Sequence, residues 1–107
     1  MKDTRRLLQD MLNAITAIES YSVPSYNAFL EDEKNQDAIM FNLIIMGEAA
    51  GNISREFQEK HPEIPWSSII GTRNVIVHGY DQVKLQIVWD IIQKNLHHLK
   101  TELLSLI

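Results

Sequence analysis

No cysteine occurs anywhere in the 107 residues. Disulfides and thiolate metal sites are excluded, and a reducing, cytoplasmic setting is the expectation. Hydrophobic runs are short, and none approaches the ~20 residues that a membrane-spanning helix needs. The opening MKDTRRLLQD carries charge but leads into no apolar signal-peptide core, so no leader is expected. Three prolines and four glycines are too few for a linker or a low-complexity tract. Basic charge is scarce as well. Ten Lys and Arg against fourteen Asp and Glu leave a net charge of −4. That argues against a broadly basic nucleic-acid surface, so any work on RNA or nucleotides must rest on a few focused cations. There is also no Gly-rich phosphate loop, no Ser/His/Asp pattern and no ATP-binding motif.

What is present is helical periodicity. Hydrophobic residues make up 45% of the chain and charged residues 22%, ordinary values for a globular protein. The length suits one domain over residues 1–107. Leu8, Met11, Ile15 and Ile18 recur every three or four positions and predict a helix over residues 3–20, capped by Asp3 or Thr4. SVPSY, residues 22–26, breaks it, because Pro24 disfavours a helical Val23. A short helix over 25–31 and a long one over 34–60 follow. The long helix carries one stripe of Ile39, Leu43, Met46, Ala50, Ile53 and Phe57. A second stripe holds Phe41, Ile44, Ile45, Glu48, Asn52 and Arg55. A helix apolar on two sides needs cover on two sides, and a second subunit is the expected second cover. HPEIPW is a loop. A helix over 66–79 ends at Gly79, a good residue for a left-handed cap. The last helix runs from 82 to the end. Long helices joined by short loops imply an all-α, antiparallel up-and-down bundle of four or five helices.

The helix over 66–79 poses a problem. At ~100° per residue, Trp66, Ile69, Ile70, Ile76 and Val77 share one broad stripe, and Arg73 stands near its middle. A buried unpaired guanidinium costs several kcal/mol, so Arg73 needs a partner or water. Asn74 and His78 lie one turn apart on the flank, and Tyr80 follows the cap. One reading is structural: Arg73 pairs with a carboxylate such as Glu48 and ties two helices together, while His78 is a helix-terminal histidine favoured by the macrodipole. The other is chemical. Arg73 grips phosphate, His78 exchanges protons near neutral pH and Asn74 orients them, a set suited to metal-independent RNA cleavage. One His cannot easily perform both proton transfers, which again favours a symmetric dimer that brings two copies together.

The residues also carry a resemblance. R-N-x-x-x-H-x-Y at Arg73–Tyr80 resembles the Arg-x4-His signature of the HEPN superfamily. MGEAAGNI (46–53), HPEIPWSSIIGTRNVIVHGY (61–80) and DQVKLQIVWDII (81–92) resemble, in order, blocks of its HepT-like branch. Two positions depart from the pattern: Gly79 stands where relatives often carry an acidic residue, and Thr72 where they often carry an apolar one.

The resemblance implies a helical homodimer with Arg73 and His78 catalytic in a cleft at the interface. It implies the ribonuclease toxin of a HepT/MntA toxin–antitoxin pair, of the type VII kind, acting on tRNA or mRNA. It further implies AMP transfer to Tyr80 by a minimal nucleotidyltransferase antitoxin, which would block the site with bulk and charge. Asn74 and Glu48 are the supporting residues. No cofactor and no metal are implied. The alternatives are a HEPN module that binds nucleotide or RNA without cutting, a partner subunit of a nucleotidyltransferase, or a purely structural helical dimer. Elsewhere, His97, His98 and Glu102 lack a third ligand at metal-site spacing and read as surface residues. Trp66 and Trp89 read as packing anchors.

Overall fold

The computed structural model describes residues 3–21 and 23–107. Helix α1 (Thr4–Ser20) begins where the Asp3 carboxylate accepts from the Arg5 N–H at 3.1 Å. That satisfies one of the amide donors left without a partner at any helix start. Leu8, Met11, Ile15 and Ile18 are buried as their spacing predicts, with Leu7, Leu12 and Ala14 beside them. Each such Leu, Ile or Met removed from water favours folding by about 1.5–3 kcal/mol. The expected break over 22–26 includes Ser22, which lies outside the described residues. Ser25 then caps α2 (Tyr26–Leu30) by accepting from the Ala28 N–H at 3.1 Å.

The helix expected over 34–60 is two helices, α3 (Glu33–Asn52) and α4 (Arg55–Lys60). The chain turns extended at Ile53, with ψ of 137°, and Ser54 restarts it by accepting from the Phe57 N–H at 3.2 Å. The physical reason is local. Gly51 and Asn52 are weak helix formers, and a serine cap directly follows them. The apolar period across the break stays intact because Ile53 is buried anyway.

After the 61–65 loop, α5 (Trp66–His78) begins with the Trp66 indole N–H donating to the His61 carbonyl at 2.9 Å. The left-handed cap expected at Gly79 is absent. Its φ is −146°, and no described residue has a positive φ. The chain leaves α5 by tightening instead of reversing. A 3₁₀ turn (Tyr80–Gln82) follows, closed by Gln82 N–H to Gly79 O at 2.8 Å. Such i→i+3 bonds satisfy backbone groups that the helix end strands.

The last helix starts at Leu85, not at 82, and is not uniform. It comprises α6 (Leu85–Asp90), a π turn (Ile91–Asn95) and α7 (Leu96–Leu104). Val88 and Leu96 are eight positions apart, about 80° out of phase on a regular helix. A π turn takes up an extra residue, and both side chains fall on the buried side.

The architecture is all-α, with no strand among the described residues. Helix α3 is central: α1 packs along one side and α5 along another, and α7 packs on α1. A Lys100–Glu19 pair at 2.9 Å joins α7 to α1. One contiguous core draws on α1, α3, α5 and α7. The inward stripe of α3 fills it, but the second stripe does not. Phe41 is 62% exposed, Ile44 and Ile45 are half-buried, and Glu48, Asn52 and Arg55 are exposed. No helix among the described residues is long and apolar enough to cross a membrane.

The restart at Ser54 has a measurable consequence. Ser54→Ala removes the cap of α4, and urea unfolding should show a loss of about 1 kcal/mol. An unchanged midpoint would mean that loop packing, not the cap, sets the break.

Candidate active site

Helices α3 and α5 cross where α3 has no side chain. A Cβ placed on Gly47 would overlap the Arg73 Cβ, and would lie 2.9 Å from its Cγ and 3.1 Å from the Ile69 carbonyl oxygen. The stem of Arg73 therefore lies in the space that Gly47 leaves open. This resolves the position of Arg73 amid an apolar stripe. Its methylenes pack between helices while its head emerges at the edge, with the side chain 28% exposed. Val77, assigned to the same stripe, is instead 43% exposed, so the buried face of α5 is the narrower one of Trp66, Ile69 and Ile76.

The guanidinium is held on two sides. Its Nε donates to Glu48 Oε1 at 2.7 Å, and Nη2 makes a close ion pair with the same carboxylate. Nη1 donates to Asn74 Oδ1 at 2.8 Å. A guanidinium has five N–H donors, so one remains on each terminal nitrogen. A partly exposed ion pair contributes at most about 1 kcal/mol to stability. Its larger effect is to fix the plane and direction of those remaining donors, the pair that a phosphate would receive.

His78 is the last residue of α5 and is exposed. It lies five positions beyond Arg73 on the helix, an offset of ~140° around the axis and ~7.5 Å along it. Among the described residues its imidazole has no hydrogen-bond partner. Asn74, one turn before it, is exposed on the same flank. A single protomer thus displays Arg73 and His78 in different directions.

Tyr80, in the 3₁₀ turn, is 49% exposed, and its hydroxyl donates to Asp37 Oδ1 of α3. That bond, slight burial and the negative charges of Asp37 and Glu33 raise the phenol above its ordinary value of 10. Asp37, Phe41, Ile44, Ile45 and Glu48 share one face of α3, at the spacings of three and four that define a stripe. One helix face therefore holds both ends of the R-N-x-x-x-H-x-Y segment, Arg73 through Glu48 and Tyr80 through Asp37.

The structure brings Arg73, Asn74 and Glu48 into contact and leaves His78 apart. Two residues escaped the sequence reading. Gly47 stood within the GEAA block, and its only signal was a glycine inside an apolar helix. Asp37 stood one turn before Phe41 on the second stripe, a position that aligns it with Glu48. A cavity of about 370 Å³ lies between α3, α5 and the last helix, lined by Leu43, Met46, Ile69 and Leu99 among others. None of Arg73, Asn74, His78 or Tyr80 lines it. His98 pairs with Glu102 at 3.4 Å across one turn, and no group of three metal-ligating side chains occurs among the described residues.

Residues 11–106 match the family described as "Ribonuclease HepT-like". The chain belongs to this HepT-like family, within the HEPN superfamily. The three relatives that follow match over most of this chain and most of their own length. One, named "Probable ribonuclease HepT", from Thermococcus cleftensis, is 35% identical over 94 residues, which are 87% of this chain and 86% of that protein. A provisionally named RNase of Methanocaldococcus jannaschii is 34% identical over 92 residues, 85% of this chain and 76% of that one. Another from Caldanaerobacter subterraneus is 34% identical over 103 residues, 95% and 92% respectively. No solved structure shows a significant match.

Two tests address the geometry of this HepT-like site. Gly47→Ala should destabilise the fold by about 1–3 kcal/mol, since the new methyl meets the Arg73 stem and the Ile69 backbone. Gly51→Ala is the control. Nothing lies within 4 Å of a Cβ there, and replacing a helical glycine should stabilise by about 0.5–1 kcal/mol. Equal effects in urea unfolding would refute the close crossing. The second test follows the Tyr80 phenol by NMR against pH. It should ionise above 10 in the native chain and move down toward 10 in Asp37→Ala. Because the folded value is raised, the bond favours folding below about pH 10, and that contribution is lost as pH rises through the Tyr80 value.

Proposed function

We propose that this chain is the toxin of a toxin–antitoxin pair, a metal-independent endoribonuclease whose Arg73–His78 site is completed by a second copy. The observation that carries the reading is the Arg73 guanidinium, locked by Glu48 and Asn74 with a donor remaining on each terminal nitrogen. Membership of a family described as ribonuclease supports the same reaction class.

The chemistry follows from the side chains. His78 takes the proton of a ribose 2′-hydroxyl, and that oxygen attacks the adjacent phosphorus. Arg73 binds the non-bridging oxygens as their negative charge grows, with donors that need no reorganisation. The bond to the 5′-oxygen breaks, and His78 of the partner subunit returns a proton to that leaving oxygen. The products are a 2′,3′-cyclic phosphate and a 5′-hydroxyl. A net charge of −4 makes these few cations the binding site, because the rest of the surface repels RNA.

Two features support the homodimer. Arg73 and His78 diverge on one protomer, so convergence needs a second copy. The uncovered stripe of α3 also offers an apolar patch next to them, centred on Phe41 with Val75 at 59% exposure on α5. A twofold axis there would bury Phe41 and set two copies of α5 side by side.

The antitoxin on this reading is a minimal nucleotidyltransferase that moves AMP from ATP to Tyr80. The exposed Tyr80 hydroxyl, two residues beyond His78, suits that role. AMP there adds a phosphodiester anion where RNA phosphate must dock.

The test is RNA cleavage and growth arrest by variants that keep the dimer. Arg73→Ala and His78→Ala should each reduce cleavage by roughly 100-fold or more, with unchanged elution on size exclusion. Paired with a native copy, a His78→Ala copy should remove most of the activity of the mixed dimer, because each cleavage uses the His78 of both subunits. Undiminished cleavage by both single variants would overturn the enzyme. A mixed dimer that keeps half of the native activity or more would overturn the shared site.

A further inference from the structure

We infer that Asp37 is the general base that receives the Tyr80 proton when AMP is transferred to that tyrosine. The inference rests on Tyr80 being the modified residue, as proposed above, and adds the group within this chain that makes it a nucleophile.

The geometry supplies the argument. The Tyr80 hydroxyl already donates its proton directly to Asp37 Oδ1, so the acceptor is in contact with the reacting oxygen before any partner arrives. The Asp37 carboxylate has no other side-chain hydrogen bond among the described residues, and no Lys or Arg there forms an ion pair with it. Tyr80 is also the most accessible of the three tyrosines. Tyr21 and Tyr26 are half-buried, and the Tyr26 ring packs on Trp89 at 6.0 Å.

The electrostatics fit such a base. The raised phenol does not ionise ahead of the reaction near neutral pH. Its proton must leave as the new bond forms, and the group that discourages early ionisation is the one placed to take it. The step balances without an outside oxidant or reductant. Tyr80 Oη forms a bond to the α-phosphorus of ATP. The bond from that phosphorus to the oxygen bridging to the β-phosphorus breaks, and pyrophosphate leaves with the electron pair. The phenol proton passes to Asp37 and from there to water. The product has no hydroxyl proton, so the hold of Asp37 on the 3₁₀ turn ends with the reaction. The new phosphodiester anion then faces Asp37 and Glu33, and the turn is pushed away from α3.

The experiment incubates the purified full chain with ATP, magnesium and a minimal nucleotidyltransferase of the class proposed as its antitoxin, and follows intact mass with time. Asp37→Asn should lower kcat for AMP addition by about 100-fold with little change in KM for this chain. Asp37→Glu should recover part of the rate. A base role predicts this split, because Asn still accepts the hydrogen bond but cannot hold the proton. Addition to Asp37→Asn at the native rate or faster would overturn the inference, as would a loss confined to KM. Either result leaves Tyr80 as the target. No adduct on the native chain, or one that persists in Tyr80→Phe, would overturn the Tyr80 reading and this inference with it.

Discussion

The site depends on one close approach. Helices α3 and α5 can meet as they do only because Gly47 has no side chain where the Arg73 stem lies. The crossing decides where the guanidinium emerges, and the next residue, Glu48, receives it. A larger residue at 47 would separate the helices, withdraw Glu48 from Arg73 and release the arginine into a range of rotamers. Glycine is usually a cost inside a helix. Here the cost is offset by placing a charge at the edge of an apolar seam without burying it alone.

The same face of α3 does a second job. Glu48 and Asp37 lie three turns apart and hold opposite ends of one short segment, Arg73 and Tyr80. Between them stands the apolar patch of Phe41, Ile44 and Ile45. The cation, the exposed apolar patch and Tyr80 thus share one helix face, and a shift of α3 would disturb all three together. This explains how an acidic protein can be proposed to act on RNA. Charge is not spread over a surface but fixed at one arginine by a neighbouring carboxylate, and in the proposed dimer a second copy would bring its own. On the proposed reading, AMP on Tyr80 would replace a hydrogen-bond donor with an anion facing two carboxylates, which would both occupy the phosphate site and loosen the turn that frames it.

Much of this was legible in the residues. The buried stripes of α1 and α3 follow from apolar spacing, because a repeat of three and four places one residue per turn on the same face. The Arg73–Glu48 pairing was legible as well, since a guanidinium amid apolar neighbours demands a carboxylate and Glu48 was the one on the facing stripe. Element ends were less legible. The break at Ile53, the form of the Gly79 cap and the π turn at Ile91–Asn95 are decided by how stranded backbone groups find partners, and periodicity carries no record of that.

Composition, periodicity and the Arg73–Tyr80 motif therefore point to the helical class, most of the inward faces and the polar cluster around Arg73. These properties are local, set by side-chain type and by the 3.6-residue turn. The tertiary structure decides what no spacing within one helix can express: that Gly47 sits under Arg73, and that Asp37, 43 residues away in sequence, grips Tyr80. Both are contacts between helices, so they exist only once the packing of α3 against α5 has chosen which atoms meet.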